Sequence, residues 1–219
     1  MILKLKRKLL RSVRRWVRNR KMILVVLAVF LFASVFTYTE YMQNRRLTVN
    51  PATYGQLLHL VAKVESKGNY NAYFGDVNNS SVNFTAMPIA EVIKWQSEYV
   101  RQGNPSSAVG KYQIISTTLN GLVDELKVDT NQSFDQAMQD RMAIALIERR
   151  GAEAYVNGEL TREEFAANLA KEWAALPRVI GENSGASYYA SDGLNKSLVS
   201  VDEVLNAIKP ISVTLPRIR

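Results

Sequence analysis

Within residues 61–72, VAKVESKGNYNA, a single glutamate, Glu65, falls where an apolar helical run stops. Leu57, Leu58, Val61 and Val64 recur at helical spacing and Gly68 with Asn69 supplies the stop signal, which puts Glu65 on the last turn. The negative end of the helix dipole disfavours another negative charge there and raises the carboxyl pKa. A proton retained near neutral pH is what a general acid needs. A solvated glutamate at a helix end is the plain alternative. The chemistry open to such an acid depends on whether a second carboxylate lies near it. Asp76, in the polar loop GDVNNSS, is the acid placed early enough to serve. Without it, Glu65 acts alone, first as acid and then as base. His59 is the only histidine and cysteine is absent, so neither a metal site nor a Ser-His-Asp triad is supported. No P-loop or dinucleotide glycine pattern occurs, and no cofactor is expected.

The elements that must position Glu65 read as helices. Ser133 with Gln136, Thr161 with Glu164 and Ser200 with Glu203 form capping-box patterns ahead of apolar runs. They predict one helix ending at Gly151, a second carrying Phe165, Leu169 and Trp173 up to Pro177, and a short third over 201–208. Another helix is expected to open at Pro88 and bury Ile89, Val92, Ile93, Tyr99 and Val100, and one more to follow Lys111. Polar segments at 67–85, 102–110 and 178–196 separate them. The fold expected is mainly α, with at most a small hairpin around 70–84.

Charge is confined to one end. Residues 1–21 hold ten Lys or Arg and no acid, so of the formal charge of +8, ten units lie there and the rest of the chain is at −2. A folded nucleic-acid-binding surface is therefore not expected. Residues 22–39 carry no charge and are rich in Val, Leu and Phe. That length is near the minimum for a span of about 30 Å, and the one-sided cations place the N-terminus in the cytoplasm. A single-pass inner-membrane anchor is expected, with a cleaved signal peptide as the competing reading. Apolar residues interleaved with the cations also suit an anionic lipid surface. The organisation expected is a basic cytoplasmic segment (1–21), a transmembrane helix (22–42), a linker (43–53), one catalytic domain (54–208) and an extended tail (209–219).

Three blocks carry a resemblance. VESKGNYNA is similar to the E-S-x-x-x-Y/F-N block of lytic transglycosylases, SSAVGKYQII resembles their S-x-x-G-x-x-Q block and the corresponding segment of lambda-type phage endolysins, and KEWAALP resembles the W-A-S-L-P segment of those endolysins. In order, they make the domain resemble the lysozyme-like superfamily of peptidoglycan glycosidases. The resemblance implies an α+β lysozyme-like fold and cleavage of glycan strands by muramidase chemistry, with Glu65 protonating the glycosidic oxygen and Asp76 as candidate partner. It implies substrate contacts from Ser66, Asn71 and Thr85, and from a cleft-crossing loop in which Gly110 lets a sugar approach the backbone and Tyr112 and Gln113 supply a wall and an amide. Tyr188 and Tyr189 are candidates for sugar stacking or for a catalytic hydroxyl, and Trp173 is expected to pack behind the site. Hydrolysis and lytic transglycosylation both stand at this stage, as do a chitin-type substrate and a non-catalytic peptidoglycan-binding module. A phage lysis, virion, transfer-system or wall-remodelling role is equally compatible.

Overall fold

The computed structural model describes residues 31–35, 49–193 and 195–212. The chain divides into Met1–Arg46 and Leu47–Arg219. Residues 31–35 are helical, with exposed side chains. The remainder of the expected span at 22–42, the basic segment 1–21 and residues 213–219 of the tail lie outside the described residues. Among the described residues no helix is long and apolar enough to cross a membrane.

Seven α-helices are described in the second unit: α1 (Gly55–Ser66), α2 (Ile89–Arg101), α3 (Ser116–Leu126), α4 (Gln136–Arg149), α5 (Ala152–Val156), α6 (Arg162–Leu169) and α7 (Val201–Ile208). The domain is mainly helical, as expected. Helix α1 packs against α4 and α7, α6 against α7, α2 against α3, and α5 between its neighbours α4 and α6. Leu57 and Val61 of α1, Leu146 and Ile147 of α4, Phe165 and Leu169 of α6 and Val204 of α7 are buried in the common core. Full burial of an aliphatic side chain of this size contributes about 1.5–3 kcal/mol. The 3₁₀ turn Pro51–Tyr54 opens this packing: Asn50 caps it, and the Asn50 backbone N–H donates to the Ser212 carbonyl (2.9 Å).

Local signals set several helix ends. Both capping boxes at Thr161/Glu164 and Ser200/Glu203 form as anticipated. The one at Ser133/Gln136 does not. Asp135 caps α4 instead, accepting from the Met138 N–H (2.8 Å), because Phe134 is buried and its N–H donates to the Met87 carbonyl (2.9 Å), which keeps the preceding chain extended. Pro88 is the cap of α2 and not its first helical residue. Helix α3 begins only at Ser116, since Val109 and Ile114 exchange backbone hydrogen bonds (3.1 and 2.9 Å) and fold the intervening residues into a tight turn. The apolar run ending at Gly151 is followed by α5, a short helix that sequence periodicity did not signal.

No hairpin ladder is described over 70–84; there are isolated bridges of Tyr73 with Asp76 and with Val109. Asparagine side chains replace the cross-strand backbone bonds. Asn69 Nδ2 donates to the Val77 and Asn79 carbonyls, Asn79 Oδ1 accepts from the Ser81 and Val82 N–H groups, and Asn71 Oδ1 accepts from the Thr85 N–H. Short amides that bond nearby backbone compete with strand pairing and favour turns.

Candidate active site

Glu65 lies on the last turn of α1, one residue before its end. Lys67 follows in the left-handed conformation (φ 54°), and the N–H groups of Lys67 and Gly68 turn back to the Ala62 carbonyl, closing the helix as Gly68 suggested. The Glu65 carboxyl is half-buried and accepts one described hydrogen bond, from the Ala175 N–H at 3.4 Å. Burial pushes its pKa up to about 7, against the weaker opposing pull of that N–H. The direction agrees with expectation, but desolvation is the leading cause, where the sequence had suggested the helix dipole.

The Ala175 N–H is available because α6 stops early. A helix continuing toward Pro177 would spend that donor on the carbonyl four residues back. Instead α6 ends at Leu169, and residues 170–176 run as turns in which Trp173 and Leu176 donate backward to Leu169 and Trp173. Trp173 is buried, as expected, with its indole N–H donating to the Tyr112 carbonyl (3.2 Å), but it borders the cleft as well as the core.

Glu65 opens into a cleft of about 480 Å³ that is also lined by Tyr112, Gln113, Trp173 and Tyr189. The same cleft is lined by three cations and a second acid, Arg149, Arg150, Lys171 and Glu172, none of which the sequence singles out. Gln113 holds a left-handed backbone (φ 48°) uncommon for a non-glycine residue, and its amide donates to the Gly110 carbonyl (2.9 Å). Tyr112 is almost fully buried and gives its hydroxyl proton to Asp140, away from the cleft (2.7 Å). Tyr189 donates to the Lys171 carbonyl (2.8 Å).

The other anticipated site residues do not line this cleft. Ser66 is buried, and its hydroxyl donates to the Lys111 carbonyl (2.7 Å), fastening the crossing loop to α1. Asn71 and Thr85 bond each other within the asparagine-braced loop. Gly110 does have a positive φ (78°), but a β-carbon there would run into the Gln139 side chain and lie 3.1 Å from Phe134 Cε1. The close approach it permits is therefore to the protein's own core, not to a sugar. Asp76 accepts from the Asn78 N–H (3.1 Å) in its own turn. Tyr188 instead lies with its ring against the Arg178 guanidinium (5.0 Å).

Two buried amides fix the crossing loop, and neither was legible as functional. Gln139 accepts from the Lys111 N–H (2.9 Å) and donates to the Tyr70 and Phe134 carbonyls, while Gln96 donates to the Ser107 and Ile114 carbonyls. A glutamine on an otherwise apolar helix face is the one signal that could have found them.

Among the described residues no group of His, Cys, Asp and Glu side chains is arranged to hold a metal ion. A comparison with protein families matches residues 55–199 to the family described as Endolysin. No curated protein and no solved structure matches.

Proposed function

The chain belongs to the endolysin family, peptidoglycan-cleaving proteins, and from that premise we propose that it is a membrane-anchored muramidase in which Glu65 cuts the glycan strand as a lytic transglycosylase. The observation that carries the mechanism is the pairing of one protonatable carboxyl with the lack of a second, unengaged one. Glu65 is held near neutrality in the cleft, while the other described cleft acid, Glu172, is bound by two arginines. Asp76 does not line that cleft.

Glu65 gives its proton to the glycosidic oxygen as the bond from that oxygen to C1 of the muramic acid breaks, leaving an oxocarbenium-like centre. The resulting carboxylate then takes the proton of the same sugar's 6-hydroxyl, whose oxygen bonds C1. The product is a 1,6-anhydromuramyl end, and the acid is regenerated without water. The Ala175 N–H stabilises the transient carboxylate, and its length keeps that stabilisation small enough for the proton to return.

The anchor rests on the uncharged stretch 22–39 behind ten cations, which supports a single-pass inner-membrane protein with its N-terminus cytoplasmic, further held by anionic lipid, and with the catalytic domain on the outer side. Mass spectrometry of sugars released from purified peptidoglycan tests the chemistry. Anhydromuramyl ends are expected. Reducing ends would make the protein a hydrolase, and no product from the folded protein would leave a binding module.

A further inference from the structure

The cationic wall of the cleft is built around one carboxylate. Glu172, with a side chain only 6% exposed, accepts from Arg149 Nη2 (3.1 Å) and from Arg150 Nε (2.8 Å). Arg150 Nη2 also donates to the Lys171 carbonyl (3.2 Å), and the Lys171 ammonium donates to Asn168 Oδ1 (3.2 Å). Glu125 is a further, looser partner of Arg149 at 3.9 Å.

Both arginines sit at the C-terminal end of α4, where cations favour the helix dipole, but that alone requires no buried carboxylate. A nearly buried acid shared by two guanidiniums adds little net stability, because desolvation offsets the attraction. What it does achieve is geometric: planar forks of fixed direction, matched to carboxylate oxygens. Among the described residues that line the cleft, three cations accompany one paired acid and Glu65, and no described ion pair joins any of those cations to Glu65. A neutral glycan has no use for such a wall, whereas the peptide stems of peptidoglycan carry free carboxylates.

We propose that Arg149, Arg150 and Lys171 form a carboxylate-binding end of the cleft that engages the peptide stems, so that the substrate is stem-bearing peptidoglycan and not the bare sugar chain. This rests on the muramidase reading, but its test does not depend on turnover.

The experiment is co-sedimentation of the full chain carrying Glu65→Gln with native peptidoglycan and with the same material after its carboxyl groups are converted to amides by carbodiimide and ammonium. Adding Arg149→Gln leaves Arg150 on Glu172, so no buried charge is orphaned. It is expected to weaken binding to native peptidoglycan by roughly five- to tenfold and to the amidated material by less than about twofold. Arg149→Lys should recover part of the loss, and Lys171→Gln should repeat the pattern at smaller size. Equal weakening on both materials, or no difference between them before the arginine is changed, overturns the proposal. Failure of the wild-type chain to release any product would instead sink the muramidase reading, whatever the sedimentation shows.

Discussion

On one side of Tyr112, Glu65 receives a single described N–H at 3.4 Å; on the other, Asp140 accepts from the Tyr112 hydroxyl at 2.7 Å, the Tyr70 hydroxyl at 2.9 Å and the Lys111 ammonium at 3.3 Å. Tyr112 borders both the Glu65 cleft and a second cavity of about 550 Å³ lined by Asp140 and Lys111. A side-chain carboxyl is thus left with one weak described donor in one cavity and surrounded by donors in the other. Asp140 contributes rigidity, since it ties the crossing loop to α4. Glu65 is suited to the acid role proposed for it, since its charged form is left costly. A desolvated carboxyl with one weak donor keeps its proton.

Removing the deprived carboxyl should produce the largest effect. Glu65→Gln is expected to lower peptidoglycan cleavage by at least about a thousandfold while stabilising the fold, a combination that separates a catalytic group from a structural one. The sign follows from linkage. The folded-state pKa lies above the ordinary carboxylate value, so the native protein binds the extra proton and is favoured at low pH; that advantage is lost as pH rises through about 7. Glutamine does not ionise. The variant should therefore match the wild type near pH 4 and exceed it by roughly 1–2 kcal/mol above pH 7, discounted for the carboxyl's partial contact with water. Thermal unfolding across pH 4–8 checks this. Activity of the wild type should fall above about pH 7, and a lower stability of Glu65→Gln at pH 8 would sink the assignment of Glu65 as a strained acid.

The opposite outcome is expected on the other side of Tyr112. Asp140→Asn weakens a network of two hydroxyls and an ammonium and should cost roughly 1–3 kcal/mol of stability. The pH at which activity falls should stay within about 0.3 units of the wild-type value, because burial, and not the charge of Asp140, raises the Glu65 pKa. A larger displacement of that midpoint would show that the two cavities are electrostatically joined and that the contrast drawn across Tyr112 is wrong.

How much of this was legible in the chain depended on whether the cause was local. Glu65 at a helix end, the Gly68 stop and the boxes at Thr161 and Ser200 are decided by residues within one or two turns, and the structure reproduces them. The Ser133 box failed because burial of Phe134 moved the cap to Asp135. The donor that meets Glu65 is a backbone N–H 110 positions away, released by an early helix end that no propensity signals. Gln96 and Gln139 look like surface residues until the loop they bind is folded against them, and Gly110 has a purpose only once Gln139 is in place. Long-range polar satisfaction, together with the short α5 and the early end of α6, was the hidden part.

Asp76 offers the smallest expected effect and the sharpest test of the contrast. Its described role is to accept the Asn78 N–H within its own turn, which an asparagine amide oxygen performs equally well. Asp76→Asn should therefore leave both stability and the rate of glycan cleavage within about twofold of the wild type. A hundredfold loss of rate, with the fold and the pH midpoint unchanged, would mean that the loop swings to bring a second carboxylate over the cleft. Glu65 would then no longer act alone: an activated water or an enzyme carboxylate would attack C1 in place of the sugar's own 6-hydroxyl, and the released ends would be reducing. The variant and the product analysis must agree, because an indifferent Asp76 with reducing products, or an essential one with anhydro ends, is compatible with neither mechanism.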